Sequence, residues 1–255
     1  MANPLPHDEL GSGQALILLH AGIADRGMWR EHLEPLAAEG FRVLALDLPG
    51  FGDAPVDKRA PWEVVLETMD ALELERAALI GSSFGGAVAL SLAAVAPERV
   101  AGLLTLSAPS DLIEPSPELQ EVWGAEDAAL ERGDIDAAIA VVLDAWLLPE
   151  RSDALAARIE EMQRRAFALH VGAEGGEWTD PLAEDPDALL RLRAPVILAA
   201  GEHDMSDFRA AAEILVAAIP GARNVVIEGA GHLAPLETPD AFLALARELL
   251  AEVRR

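Results

Sequence analysis

The stretch AALIGSSFGGAVALSLAAV, residues 77–95, decides the fold. Ala77 to Gly81 is a short apolar run of strand type, and Ser83 to Val95 reads as a helix of small residues ended by Pro97. Between them Gly81-Ser82-Ser83-Phe84-Gly85 has the spacing G-x-S-x-G. A serine on a tight strand-to-helix turn has strained backbone angles, and glycines two positions either side let strand and helix approach. The turn exposes the hydroxyl and leaves helix N–H groups beside it, where an oxyanion can develop. Ser83 is therefore the candidate nucleophile; a serine that merely caps a helix is the plain alternative.

Working outward, short strand-like runs alternate with helical patterns, as in a mostly parallel sheet covered by helices on both faces. Ala15 to His20, Phe41 to Asp47 and Val100 to Ser107 read as strands, as do Pro195 to Ala200 and Ala222 to Glu228. Trp29 to Glu39, Pro61 to Leu74, Phe208 to Ile219 and Pro239 to Val253 read as helices. From about Asp111 to Arg191 no strand is visible, only helical patterns such as Ala137 to Leu147 and Ser152 to Leu169, with prolines at both ends. The expected division is a core of residues 1–110 and 192–255 with a helical cap of residues 111–191. The cap is expected over the carboxyl ends of the strands, where open α/β sheets bind ligands. A separate helical domain is the alternative.

A serine hydroxyl needs a base at neutral pH. Of six histidines, His232 in Gly229-Ala230-Gly231-His232 follows the last strand, at the same sheet edge as Ser83. His203 is the rival. Asp204 follows the strand Pro195 to Ala200, again at that edge, and is the candidate to orient the base and stabilise the imidazolium. Asp207 stands nearer the expected helix cap, and Asp111, after Val100 to Ser107, is a second candidate acid.

Bulk composition limits the alternatives. The chain has 255 residues, 51% apolar and 25% charged, which suits one globular domain with an insertion. It lacks cysteine, so disulfides, thiolate nucleophiles and Cys-held metals are excluded. With 19 basic and 44 acidic residues the formal charge is −25, a field that repels nucleic acid and suits a neutral small-molecule substrate. No apolar run is long enough for a membrane span and no leader pattern opens the chain, so a cytoplasmic location is expected.

The motifs LLHAGIADRGMW (18–29), DLPGFGDAP (47–55), GSSFGGAVAL (81–90), GEHD (201–204) and GAGHLAPLE (229–237), with the order Ser83, Asp204, His232, make the chain resemble the α/β-hydrolase family over nearly its whole length. Among its branches it most resembles small capped esterases and enol-lactonases. The resemblance implies a carboxylic ester or lactone hydrolase with a Ser83–His232–Asp204 triad, an acyl-enzyme, and no metal or organic cofactor. It also implies an oxyanion hole from the N–H groups of Phe84 and of Gly22 or Ile23. Ala21 stands where the family usually has glycine. His20 is expected to be a structural hydrogen-bonding residue. Because only about fifteen residues precede Leu16, the N-terminal edge strands of the family are expected to be missing or short. Carbon–carbon hydrolysis, thioesterase and acyltransferase chemistry use the same triad, and a non-catalytic receptor can retain it. Trp29, Trp123, Trp146, Phe167 and Trp178 are the candidate pocket walls, each with core packing as the alternative.

Overall fold

A computed structural model describes residues 3–176 and 178–255. Seven strands form one sheet: β1 (His7–Gly11), β2 (Gln14–Leu19), β3 (Phe41–Leu46), β4 (Ala77–Ser82), β5 (Val100–Leu106), β6 (Val196–Gly201) and β7 (Arg223–Ile227). The helices are α1 (Arg30–Ala38), α2 (Pro61–Ala71), α3 (Phe84–Val95), α4 (Pro117–Glu131), α5 (Ile135–Trp146), α6 (Asp153–His170), α7 (Pro181–Glu184), α8 (Ser206–Ala218), α9 (Ala234–Glu237) and α10 (Pro239–Val253). The spatial order is β1-β3-β2-β4-β5-β6-β7; β1 runs antiparallel to β3 and every other pairing is parallel. The N-terminal expectation is thus refined: one edge strand of five residues is present. Its Asp8 and Glu9 are polar, so it lacked the apolar run by which strands are read.

The central strands are apolar on both faces because both faces are covered. In β2, Ile17 and Leu19 pack into the core under α2, α3 and α8, while Leu16 and Leu18 pack into the opposite core with α1 and α10. β2 is followed in the chain by β3 on one side of it, whereas β4 is followed by β5 on the other. The crevice at the carboxyl ends of β2 and β4 is therefore a topological switch point, where open sheets bind ligands. Between β5 and β6 the chain leaves the sheet and forms α4 to α7. Of these, α4, α5 and α6 share a small core in which Leu119, Ile139, Val142 and Phe167 meet Phe208 of α8, while Leu182 of α7 packs into the main core against α3.

Candidate active site

The turn after β4 has the strain its glycines imply. Ser83 has φ 49° and ψ −117°, a conformation that side-chain-bearing residues avoid. A Cβ on Gly81 would lie 2.3 Å from the Gly85 carbonyl oxygen, and one on Gly85 would lie 2.3 Å from that of Leu19. Only glycine lets the start of α3 sit this close to β4 and β2. Around the serine, its own N–H donates to Leu106 O at 2.7 Å and Gly85 N–H donates to His20 O at 3.0 Å.

The candidate base and acid come from two other strand ends. His232 lies in the loop after β7, and its Nε2 is 2.9 Å from Ser83 Oγ. Its Nδ1 is 3.0 Å from Asp204 Oδ1, in the loop after β6. Asp204 Oδ1 also accepts the Met205 N–H at 2.9 Å, so its orientation is held independently of the histidine. Asp204 and His232 are buried, and Asp204 Oδ2 has no hydrogen-bond partner among the described residues. The imidazole is packed by Trp146 and Phe208, whose ring centroids lie 4.5 and 4.4 Å from its own. A hydroxyl, a buried imidazole and a carboxylate in series can pass a proton from serine to base as the serine attacks.

Gly22 lies against Phe84: a Cβ on it would be 3.4 Å from that of Phe84. Among the described residues, the N–H groups of Gly22, Ile23 and Phe84 donate to no protein acceptor, whereas Ala24 N–H bonds to Ala21 O. His20 is structural: Nδ1 donates to Ala21 O at 2.8 Å and Nε2 accepts the Leu48 N–H at 2.9 Å. Burial holds its pKa below the ordinary histidine value. Both bonds brace the segment that follows β2.

The remaining candidates separate by position. Trp146 packs on His232 and, with it and Asp204, lines a cavity of about 780 Å³; Ser83 lines neither this cavity nor the two smaller ones. Trp178 lines a cavity of about 180 Å³ with Phe84, Trp62 and Val88. Trp123 lines one of about 220 Å³ with Phe208, and the two smaller cavities share Pro109, Ser110 and Asp111. Two candidates line none of these cavities. Trp29 is fully buried, packed on Phe242 and His32, so it is a core residue. Phe167 is buried in the small core of α4 to α6. Four acids, Asp111, Glu114, Asp180 and Asp207, line the two smaller cavities.

Two acids depart from their expected roles, and a third has one that was not expected. Asp207 does not cap α8, whose N-cap is Met205; its oxygens accept the Ser116 N–H at 2.7 Å and Oγ–H at 2.9 Å, tying the start of α4 to α8. Asp111 is exposed and makes no bond to His232. Asp47, unremarked in the sequence, is fully buried and accepts the N–H groups of Arg26 (2.9 Å) and Asp53 (2.7 Å), closing the loops beside Gly22. His203 is a surface neighbour, 3.7 Å from Glu202. Among the described residues no three His, Asp or Glu side chains gather as a metal site, and no helix is long and apolar enough to cross a membrane.

Comparison with known proteins agrees with this architecture. The alpha/beta hydrolase fold family matches residues 14–239. The chain is 29% identical over 262 residues to the 2-hydroxymuconate semialdehyde hydrolase of Pseudomonas sp. (strain CF600), covering 96% of this chain and 89% of that one. It is 28% identical over 245 residues to carboxylesterase YbfK of Bacillus subtilis (strain 168), covering 89% and 76%. Among solved structures, the enol-lactonase from Burkholderia xenovorans LB400 superposes with a TM-score of 0.80 at 26% identity, covering 97% and 96%.

Proposed function

The chain belongs to the alpha/beta hydrolase fold family, and from that premise we propose that it is a serine hydrolase of small carboxylic esters or lactones, acting through Ser83, His232 and Asp204. The observation that carries this reading is the unbroken series Ser83 Oγ–His232 Nε2 (2.9 Å) and His232 Nδ1–Asp204 Oδ1 (3.0 Å), beside free N–H groups on Gly22 and Phe84. His232 takes the hydroxyl proton as Ser83 attacks the carbonyl carbon. The carbonyl oxygen becomes an oxyanion facing the N–H groups of Phe84 and Gly22. When the tetrahedral species collapses, the alcohol leaves with the proton from His232, and Ser83 is left acylated. Water, giving its proton to the same histidine, then attacks the acyl-enzyme and restores the serine. Asp204 holds Nδ1 protonated throughout, which leaves Nε2 free to accept.

In this reading the segment of residues 111–191 is a cap that shapes the substrate space. The cavity beside Phe84 is about 180 Å³, room for a short acyl or alkoxy group, and the one lined by His232 and Asp204 is about 780 Å³, room for a larger group on the other side of the scissile bond.

A second reading, carbon–carbon bond hydrolysis, is favoured by the likeness to the 2-hydroxymuconate semialdehyde hydrolase. Against it, four carboxylates and no cation line the two cavities nearest Phe84 and Phe208 among the described residues, and in the cavity beside His232 the cation Arg209 faces Glu118, Glu121 and Asp144. Such walls repel a substrate that carries its own carboxylate. The test is turnover of short p-nitrophenyl esters and simple lactones by wild type and Ser83→Ala. Serine-dependent ester or lactone turnover supports the first reading. Labelling of Ser83 by a fluorophosphonate without such turnover transfers support to the second. Neither turnover nor labelling refutes the serine-hydrolase reading and leaves a ligand receptor.

A further inference from the structure

We propose that Glu237 is a positioning residue for the reaction: one carboxylate that holds the loop carrying His232 and the helical segment packed on its ring in a single register. This rests on His232 being the base. Just after the histidine the chain turns into α9, where Leu233 O accepts the N–H groups of Leu236 (2.8 Å) and Glu237 (3.0 Å). From behind, His32 Nε2 donates to Pro235 O at 2.9 Å and secures that turn to α1. The turn aims the Glu237 side chain back along its own loop. Oε2 accepts the N–H of Gly231, the residue before His232, at 2.8 Å. Oε1 accepts the N–H of Leu148, from the α5–α6 link, at 3.2 Å.

Both contacts bear on the imidazole. Leu148 is two residues after Trp146, whose ring packs on that of His232 at 4.5 Å. The Leu148 side chain also lies over Gly231, where a Cβ would meet Leu148 Cδ2 at 2.9 Å. Backbone on one side of the ring and aromatic packing on the other are therefore fixed by the two oxygens of one side chain. The direct bonds of the ring, to Ser83 and Asp204, set its direction; its loop is held at Gly229 by Glu202 Oε2 (2.9 Å), at Ala230 O by the His203 N–H (2.9 Å) and, at the residue next to the ring, by Glu237. A shift of that loop by 1 Å lengthens the Nε2–Oγ distance from 2.9 Å beyond hydrogen-bond range.

The test uses Glu237→Gln, which keeps the shape but replaces one acceptor oxygen by a donor, so one of the two N–H groups must face an NH2. The readouts are ester turnover and the rate of fluorophosphonate labelling of Ser83, which needs the base but no particular substrate. The expected result is a fall of roughly 10- to 100-fold in kcat and in labelling rate together, with KM within about twofold. Glu237→Asp, one methylene too short to span both donors, falls in the same direction. A folded Glu237→Gln with wild-type kcat and labelling overturns the proposal, whatever its melting temperature. Hydrogen exchange of the wild-type amides of Gly231 and Leu148 is the measurement that needs no variant. Joint protection supports the clamp, and free-loop exchange at either amide overturns it. Failure of wild-type Ser83 to label strikes the hydrolase reading instead and leaves the exchange result standing.

Discussion

Replacing Asp204 by asparagine separates the charge of the acid from its geometry. In an amide the oxygen must choose a side. Asp204 Oδ1 accepts two N–H groups, from Met205 at 2.9 Å and from His232 Nδ1 at 3.0 Å, whereas Oδ2 accepts none. The amide oxygen therefore stays at the Oδ1 position and the NH2 goes where Oδ2 was. Nδ1 remains protonated and the histidine keeps its working tautomer. What disappears is the attraction between carboxylate and imidazolium, about 4 kcal/mol for charges roughly 4 Å apart at an effective dielectric constant of about 20. That corresponds to a loss of about 10³ in kcat/KM. The new buried NH2 lacks an acceptor and costs about 2 kcal/mol of stability, or roughly 6 °C in Tm. The assay is ester hydrolysis by wild type and Asp204→Asn, with the histidine tautomer read from ¹⁵N chemical shifts. A loss below about tenfold refutes Asp204 as the partner of the base. A tautomer that flips, with a loss nearer 10⁴, refutes the argument that Met205 pins the oxygen. His203→Ala, its ring on the surface beside Glu202, leaves kcat within about twofold.

Gly85→Ala puts a carbon 2.3 Å from Leu19 O and 2.6 Å from His20 O, both backbone. The strand end and the turn must separate by about 1 Å, so Ser83 labelling falls about 100-fold, checked by fluorophosphonate kinetics, while the melt shifts down by a few degrees. Trp29→Ala costs about 3–5 kcal/mol in a urea titration and leaves the ester-length preference unchanged, because Trp29 packs on Phe242 in the core and not on substrate. Burial holds the pKa values of His20 and His32 below the ordinary histidine range. Their neutral forms support the fold fully above about pH 6.5, and that support is lost as pH falls and the unfolded chain takes up protons first. Urea stability should drop by up to about 1.4 kcal/mol per pH unit for each ring below pH 6.5, and the slope should shrink in His32→Asn. Burial raises the pKa of Glu237 from the ordinary glutamate value, against the Leu148 and Gly231 N–H groups, which lower it. The stability this contributes is present below the ordinary glutamate pKa and is lost as pH rises through the raised one, a dependence that Glu237→Gln should remove from the same titration.

Local order around the nucleophile was readable because its determinants are local. An apolar run of strand length, glycines at fixed offsets and a small-residue helix lie within residues 77–95, and the observed β4, turn and α3 follow those bounds to within a residue or two. The same holds for β2, β3, β5 and β6, whose continuous apolar runs reflect burial on both faces, while the edge strand β7 was readable from Val225 to Ile227 alone. The candidates Ser83, Asp204 and His232 were likewise accessible, since each directly follows a strand and a parallel sheet brings all its carboxyl ends to one edge. β1 was not, because an edge strand with one face to solvent carries no such run. Nor was the sorting of the tryptophans: Trp29 in the core and Trp146 on the base present the same apolar ring within a helical pattern, and only the neighbours supplied by distant segments distinguish them. Long-range pairings decided the rest. Asp207 meets Ser116 across 91 positions and Glu237 meets Leu148 across 89, and in each the partner is a backbone N–H, present at nearly every residue and so invisible in the sequence. Sequence determines which groups can donate, accept or pack; the sheet and the helices folded over it determine which of them meet, because that depends on distances set by the whole chain.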